Sequence, residues 1–197
     1  MRLLVARFIK RDYTSSAVGF PTAQENTPLI TGKELRNKWL ITLTDGQRIG
    51  EIKDVYLDSS ATQVVAVLLG KEGMLSRRSV VLDRSSIQVF GIDVWLVAAS
   101  GRVCHLEDLP GSDAFILMSD LRGREIQTDR GAKIGAIGEV VLDRDAKVIG
   151  FTLSRVYASG SLQDKKSIVR AAIITVGSKD LPVIADLSKA ETLNLPE

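Results

Sequence analysis

Cysteine and histidine occur once each, as the neighbours Cys104 and His105. A single cysteine excludes an intramolecular disulfide, which fits a reducing compartment. A structural zinc site draws four ligands, so with one cysteine and one histidine it would have to be filled from carboxylates. Adjacent residues on an extended chain point to opposite sides, so this pair does not converge as nucleophile and base. It reads as two ordinary linker residues, and neither a metal nor a cofactor is expected. Long apolar runs are also missing. Nothing approaches the roughly 20 residues of a membrane helix, and the opening run Leu3–Ala6 is broken by Arg7 and is too short for a signal peptide. Charge of one sign is scarce as well: the net charge is +2. The basic residues Arg2, Arg7, Lys10 and Arg11, set against Asp12 and Glu25, account for it and leave residues 29–197 near neutral. A nucleic-acid footprint shows as a concentrated basic stripe, which is not found. Aromatics make up 5% of the chain, too few for a ladder on which single-stranded RNA would stack.

What is present is a repeat. Gly46-Gln-Arg-Ile-Gly50-Glu-Ile-Lys-Asp-Val55-Tyr-Leu-Asp58 returns as Gly131-Ala-Lys-Ile-Gly135-Ala-Ile-Gly-Glu-Val140-Val-Leu-Asp143, displaced by 85 residues. Both glycines, both isoleucines and the Val, Leu and Asp are identical. The match extends upstream to Leu35-Arg36 against Leu121-Arg122. Downstream it runs through Val64–Leu69 against Val148–Leu153, Ser79-Val-Val against Ser167-Ile-Val, and Phe90-Gly91 against Val176-Gly177. A long period present only twice marks a duplicated domain, because a solenoid needs three or more units. Within each copy, short runs of Val, Ile and Leu alternate with turn signals: Thr44-Asp-Gly46, Leu57-Asp-Ser-Ser60 and Leu82–Ser86 in the first, Asp129-Arg-Gly131 and Asp143-Arg-Asp145 in the second. That punctuation predicts an all-β fold with little helix, two tandem copies of a small barrel or sandwich.

The glycine motif makes a mechanical prediction. Ile49, Val55 and Leu57 share one parity and Ile52 has the other; Ile134, Val140 and Leu142 stand against Ile137 in the same way. If all face the core, each strand carries a β-bulge, with Gly50 and Gly135 allowing the backbone to bend or approach closely. The expected division is an N-terminal segment 1–28, a first domain 29–100, a linker 101–114, a second domain 115–186 and a tail 187–197. Residues 1–28 read as a first strand or frayed tail. The alternative is contact of residues 1–11 with an anionic membrane surface.

The pattern Asp45-Gly-x-x-Ile-Gly-x-Ile-x-Asp-Val-x-Leu-Asp58, followed by an apolar strand, a loop, Ser79-Val-Val and Gly91-Ile-Asp-Val94, resembles the PRC-barrel family. The second copy departs from it at Glu139, where the motif has Asp, and at Arg170. The resemblance implies a compact antiparallel barrel of about six strands with no catalytic residues, in a family that includes the cytoplasmic domain of the photosynthetic reaction centre H subunit and the C-terminal domain of the ribosome maturation factor RimM. It implies a stand-alone, cytoplasmic, non-enzymatic scaffold or assembly factor with a protein partner. A photosynthetic or other membrane-associated complex is the first setting, with peripheral membrane contact and a homodimer as further expectations. The alternative is an RNA-linked ribosome-maturation role.

Other constellations have plainer readings. Gly131, Gly135 and Gly138 lack the dinucleotide and phosphate-loop spacings and serve turns and bulges. Asp54, Asp58, Glu139 and Asp143 could be taken for paired acid–base carboxylates, but Asp58 and Asp143 sit at turn positions and the turn role is the favoured reading. Trp39 and Trp95 read as core or barrel rim. The candidate partner-binding loops are Lys71, Arg77 and Arg78 in the first copy and Lys165, Lys166 and Arg170 in the second. If the two loops emerge on one face they form one basic surface; otherwise they are solvated loop charge.

Overall fold

The computed structural model describes residues 29–73, 78–98, 101, 103–178 and 180–196. The N-terminal segment 1–28 and Arg77 lie outside them. The first repeat runs β1 (Ile30–Thr31), a one-turn helix α1 (Gly32–Leu35), β2 (Trp39–Thr42), β3 (Arg48–Glu51), β4 (Asp54–Leu57), β5 (Val64–Glu72), β6 (Arg78–Asp83), β7 (Ile87–Phe90) and β8 (Val94–Val97). A connecting strand β9 (Val103–His105) follows. The second repeat runs β10 (Ile116–Leu117), β11 (Glu125–Gln127), β12 (Lys133–Leu142), β13 (Val148–Val156), α2 (Ser161–Lys165), β14 (Ser167–Val169), β15 (Ile173–Thr175), β16 (Val183–Ala185) and α3 (Leu187–Thr192). The fold is mostly β, as the sequence pattern predicts, with short helices only.

The second repeat forms a ladder in the order β14-β13-β12-β11-β16-β15. The first has the same order, divided where β12 is replaced by β3 and β4: β6-β5-β4, then β3-β2-β8-β7. In each ladder the two end strands are joined by a three-residue 3-10 corner, Arg84–Ser86 or Arg170–Ala172. So short a link reaches only about 10 Å, which requires the sheet to curl until its ends are neighbours. No ladder pairing spans that seam among the described residues. The corner also carries the chain onward without a hairpin reversal. The last strand therefore returns parallel to the first, β8 on β2 and β16 on β11, while the other pairings are antiparallel.

The bulges are present. Ile52, Val55 and Leu57 are fully buried and Ile49 is packed against the same core; Ile134, Ile137, Val140 and Leu142 are buried together. In the first repeat the strand breaks at Ile52-Lys53, where Ile52 N donates to Lys38 O at 2.9 Å and Lys53 N to Leu68 O at 2.9 Å. The chain thus changes partner, from β2 on one side to β5 on the other. In the second repeat β12 stays continuous, but its register with β13 shifts between Ala136 and Val140. The two motif glycines differ. A Cβ on Gly135 would lie 2.5 Å from Arg155 O, so the close approach is real there. At Gly50 the nearest atom is a leucine methyl at 3.6 Å, an ordinary contact.

The repeats are interlocked. β1 pairs not with its own repeat but with β12, Ile30 opposite Leu142 and Thr31 opposite Val141. Reciprocally, β10 pairs with β4, Ile116 opposite Leu57 and Leu117 opposite Tyr56. One continuous apolar core runs through both halves, from Leu40 and Trp95 to Phe151 and Val183. The segment expected as a linker is packed too. β9 adds to β6, and Cys104, Leu106, Leu109, Phe115 and Leu117 cover Tyr56, Ala66, Leu68 and Val81 on the outer face of the first sheet. The tail forms α3, whose first turn is capped by Asp186 accepting from Lys189 N at 3.1 Å.

Candidate functional site

Where the repeats meet, the chemistry is duplicated about a pseudo-twofold axis. Gln63 bridges Lys147 antiparallel across it. Val64 N donates to Ala146 O at 2.9 Å, and its counterpart Val148 N donates to Thr62 O at 2.8 Å. Each strand is fed by a tight turn whose first residue is an aspartate. Asp58 accepts from Thr62 N at 2.6 Å and from the Thr62 hydroxyl. Asp143 accepts from Asp145 N at 2.9 Å and Lys147 N at 2.8 Å. These carboxylates hold their own loops, the turn role expected of them. Each turn ends on a left-handed alanine, Ala61 at φ 50° and Ala146 at φ 56°. Both are buried in the shared core, where a methyl fills space that glycine would leave open.

An arginine from each 3-10 corner reaches the other repeat's turn. Arg170 Nε donates to Ser60 O at 3.1 Å and Ala61 O at 3.0 Å, Nη2 to Ser60 O at 2.5 Å, and Nη1 to Ile173 O at 2.9 Å. Burial draws this guanidinium below the ordinary arginine value, with the Asp58 carboxylate acting in the opposite sense. Arg84 Nη2 donates to Asp145 O at 2.7 Å, and its guanidinium lies 5.3 Å from the Phe90 ring centre. Asp54 and Glu139 face arginines of their own repeats. Arg36 stands 3.8 Å from the buried Asp54, and Arg122 pairs with Glu139. Gly32, Met118, Arg36, Arg122 and Glu139 border a space of about 10 Å³, room for no more than one water.

The described residues of the two basic clusters are separated. Lys71 is exposed near the end of β5, and Arg78 opens β6 with Glu107 at 3.8 Å. Lys165 Nζ donates to Glu191 O at 2.5 Å and Leu193 O at 3.4 Å, tying α2 to the tail. Lys166 is exposed and left-handed at the end of α2, and Arg170 is committed to the interface. The antiparallel bridge at the axis sends β5 and β13 away in opposite directions. Each is nine residues long, roughly 30 Å of strand, so among the described residues Lys71 and Arg78 lie apart from Lys165 and Lys166.

Cys104 and His105 point to opposite sides of β9. Cys104 joins the outer apolar layer, while His105 lies 3.7 Å from Glu72 and 3.8 Å from Asp108. Among the described residues no group of three potential ligands is placed to hold a metal. Trp95 is buried edge-on against Phe90, with ring centres 4.8 Å apart, and Trp39 lies half-buried under Arg48.

Sequence reasoning missed Arg84, which the repeat register aligns with Arg170, and missed the apolar residues exposed at the ladder ends. Val89 on β7 and Ile174 on β15, the ladder-end strands, are 46% and 62% exposed, one place apart in the repeat register, where Val89 matches Thr175 and Ile174 matches Gln88. The turns that follow present Ile92 and Leu181, 58% and 62% exposed. An open groove of about 540 Å³ runs beside Ile174, bordered by Thr128, Arg130 and Leu187.

A model of the PRC-barrel domain matches the chain twice, over residues 29–98 and 113–183. No curated protein matches it.

Proposed function

Because this chain belongs to the PRC-barrel family and carries the domain twice, we propose that it is a non-catalytic scaffold that binds a protein partner during assembly of a larger complex. The carrying observation is that each ladder end exposes aliphatic residues, Val89 with Ile92 in the first repeat and Ile174 with Leu181 in the second. A solvated edge strand is normally blunted by charge or proline. Here each copy exposes an aliphatic residue on its ladder-end strand, the third residue of β7 and the second of β15. Such an edge suits an extended apolar segment, whose backbone would take the unpaired groups while its side chains cover the aliphatics. The polar groups at the centre of the molecule support the same reading, since they are spent on turns and on holding the halves together.

The setting follows from the partner. No helix of the described residues is long and apolar enough to cross a membrane. Residues 1–11, with Arg2, Arg7, Lys10 and Arg11 among Leu3, Leu4, Phe8 and Ile9, give such a scaffold a route to an anionic membrane surface. A photosynthetic or other membrane-associated complex is the setting we favour. The test is affinity capture from native lysate with the wild-type chain and the V89K/I174K variant, with mass spectrometry and an RNA assay on both eluates. Proteins retained by the wild type and lost by the variant support the proposal. Small-subunit RNA with ribosomal proteins, retained by both, would replace it with a ribosome-maturation role.

A further inference from the structure

The positions that face each other across the axis are not alike. Gly32 begins α1, and the equivalent residue of the second repeat is Met118, which begins the 3-10 turn Met118–Leu121. A methyl added at Gly32 would come 2.8 Å from Met118 Cε, 3.1 Å from its Sδ and 3.3 Å from Glu139 Oε2. Met118 is buried and belongs to the shared core. The first repeat therefore offers a socket where the second offers a knob.

We propose that the chain is a fused heterotypic pair: its halves hold each other without the connecting peptide, and Gly32 opposite Met118 makes each half select the other over its own kind. The first clause rests on reciprocity. Each half supplies a strand to the other's sheet, Ile30–Thr31 on β12 and Ile116–Leu117 on β4. Each also supplies an arginine to the other's turn, Arg84 to Asp145 O and Arg170 to Ser60 O and Ala61 O. A half left alone exposes an unpaired strand edge and part of a core that is continuous through the interface. The second clause rests on the axis. The strand exchange itself is nearly symmetric and would serve two like halves equally well. At the axis, two second repeats would bring Met118 against Met118 in space that holds one side chain. Two first repeats would leave Gly32 facing Gly32 across a void. Overpacking and cavities both destabilise, so the unlike pair is favoured over both like pairs.

The experiment uses the whole chain with a protease site inserted between Pro110 and Gly111, which are exposed and where Gly111 is left-handed at φ 74°. After cutting, unfolding and refolding, native mass spectrometry reads the species formed. A dominant 1:1 pair of unlike halves is expected. Separate folded halves, loss of either half to precipitate, or like pairs at their statistical share would each overturn the proposal. A variant set in the uncut chain checks the knob and socket by thermal unfolding. G32M and M118G should each lower the midpoint, and G32M/M118G, which moves the knob to the other half, should recover part of the loss caused by G32M. A double variant as unstable as the two losses added together would refute the selection.

Discussion

Where the first repeat lays Arg48 over the ring of Trp39, 4.4 Å from its centre, the second sets Lys133 against Glu125 at 2.8 Å. Both pairs staple the same two strands, one by cation–π attraction and the other by an ion pair that lowers the Glu125 pKa and raises that of Lys133. The interiors differ in the same spirit. The first repeat fills its barrel with Trp95 on the last strand and has Val67 on the long one; the second has Phe151 on the long strand and Val183 on the last. Each barrel holds one large buried aromatic, supplied from a different strand. Total volume is what close packing constrains, and the strand that supplies it is free to change. The interface kept its devices instead: the aspartate turns, the left-handed alanines, the corner arginines and the Arg–carboxylate pairs all occur twice.

The largest expected effect breaks the packing comparison. Phe151→Ala and Trp95→Ala should each cost about 3–5 kcal/mol. Val67→Ala and Val183→Ala should cost about 2 kcal/mol each, judged from the methyl groups removed. Equal losses at Val67 and Phe151 in denaturant titration would contradict this exchange of bulk. Next comes the interface. Arg170→Ala removes several charge-assisted bonds from half-buried carbonyls and should cost about 2–3 kcal/mol, and Arg84→Ala, with one such bond, about 1–2 kcal/mol. The reverse order would show that the two clamps are not what the geometry implies. Third, Gly135→Ala drives a methyl into Arg155 O and should cost about 1–3 kcal/mol, whereas Gly50→Ala should stay within about 0.5 kcal/mol of wild type. The smallest effect concerns the entry to the first repeat. Glu34 accepts from Thr31 N and Oγ1, both at 2.8 Å, which holds its carboxyl below the ordinary glutamate value of 4.5. A lowered folded pKa gives stability that is complete above 4.5 and lost as pH falls through the lower folded value. Because Glu34 is exposed, the contribution stays under about 1 kcal/mol. Glu34→Gln should remove that acid-side slope, which thermal unfolding followed across the acid range would read.

Much of the fold was legible because its determinants are local. The parity break at Ile52 and Ile137 places the bulges, and the Asp-led turns announce themselves by composition. The exchange was not legible, because β1 and β10 are two-residue strands whose partners lie more than fifty residues away, and no short-range pattern distinguishes the repeat's own edge from its neighbour's. Arg170 drew notice as a departure from the motif, yet its target turn precedes it by 110 residues. Aligning it with Arg84 would have shown a shared device. The connection through Cys104, Leu106, Leu109 and Phe115 read as a linker because its apolar spacing follows 3-10 turns, which match neither strand nor helix periodicity.

The central claim is that the two repeats unfold as one body because each completes the other. Scanning calorimetry of the intact chain tests it directly. The account predicts a single transition whose calorimetric and van't Hoff enthalpies agree, and which Arg170→Ala moves to lower temperature as a whole. Two separable transitions, with Arg170→Ala shifting only one of them, would contradict it.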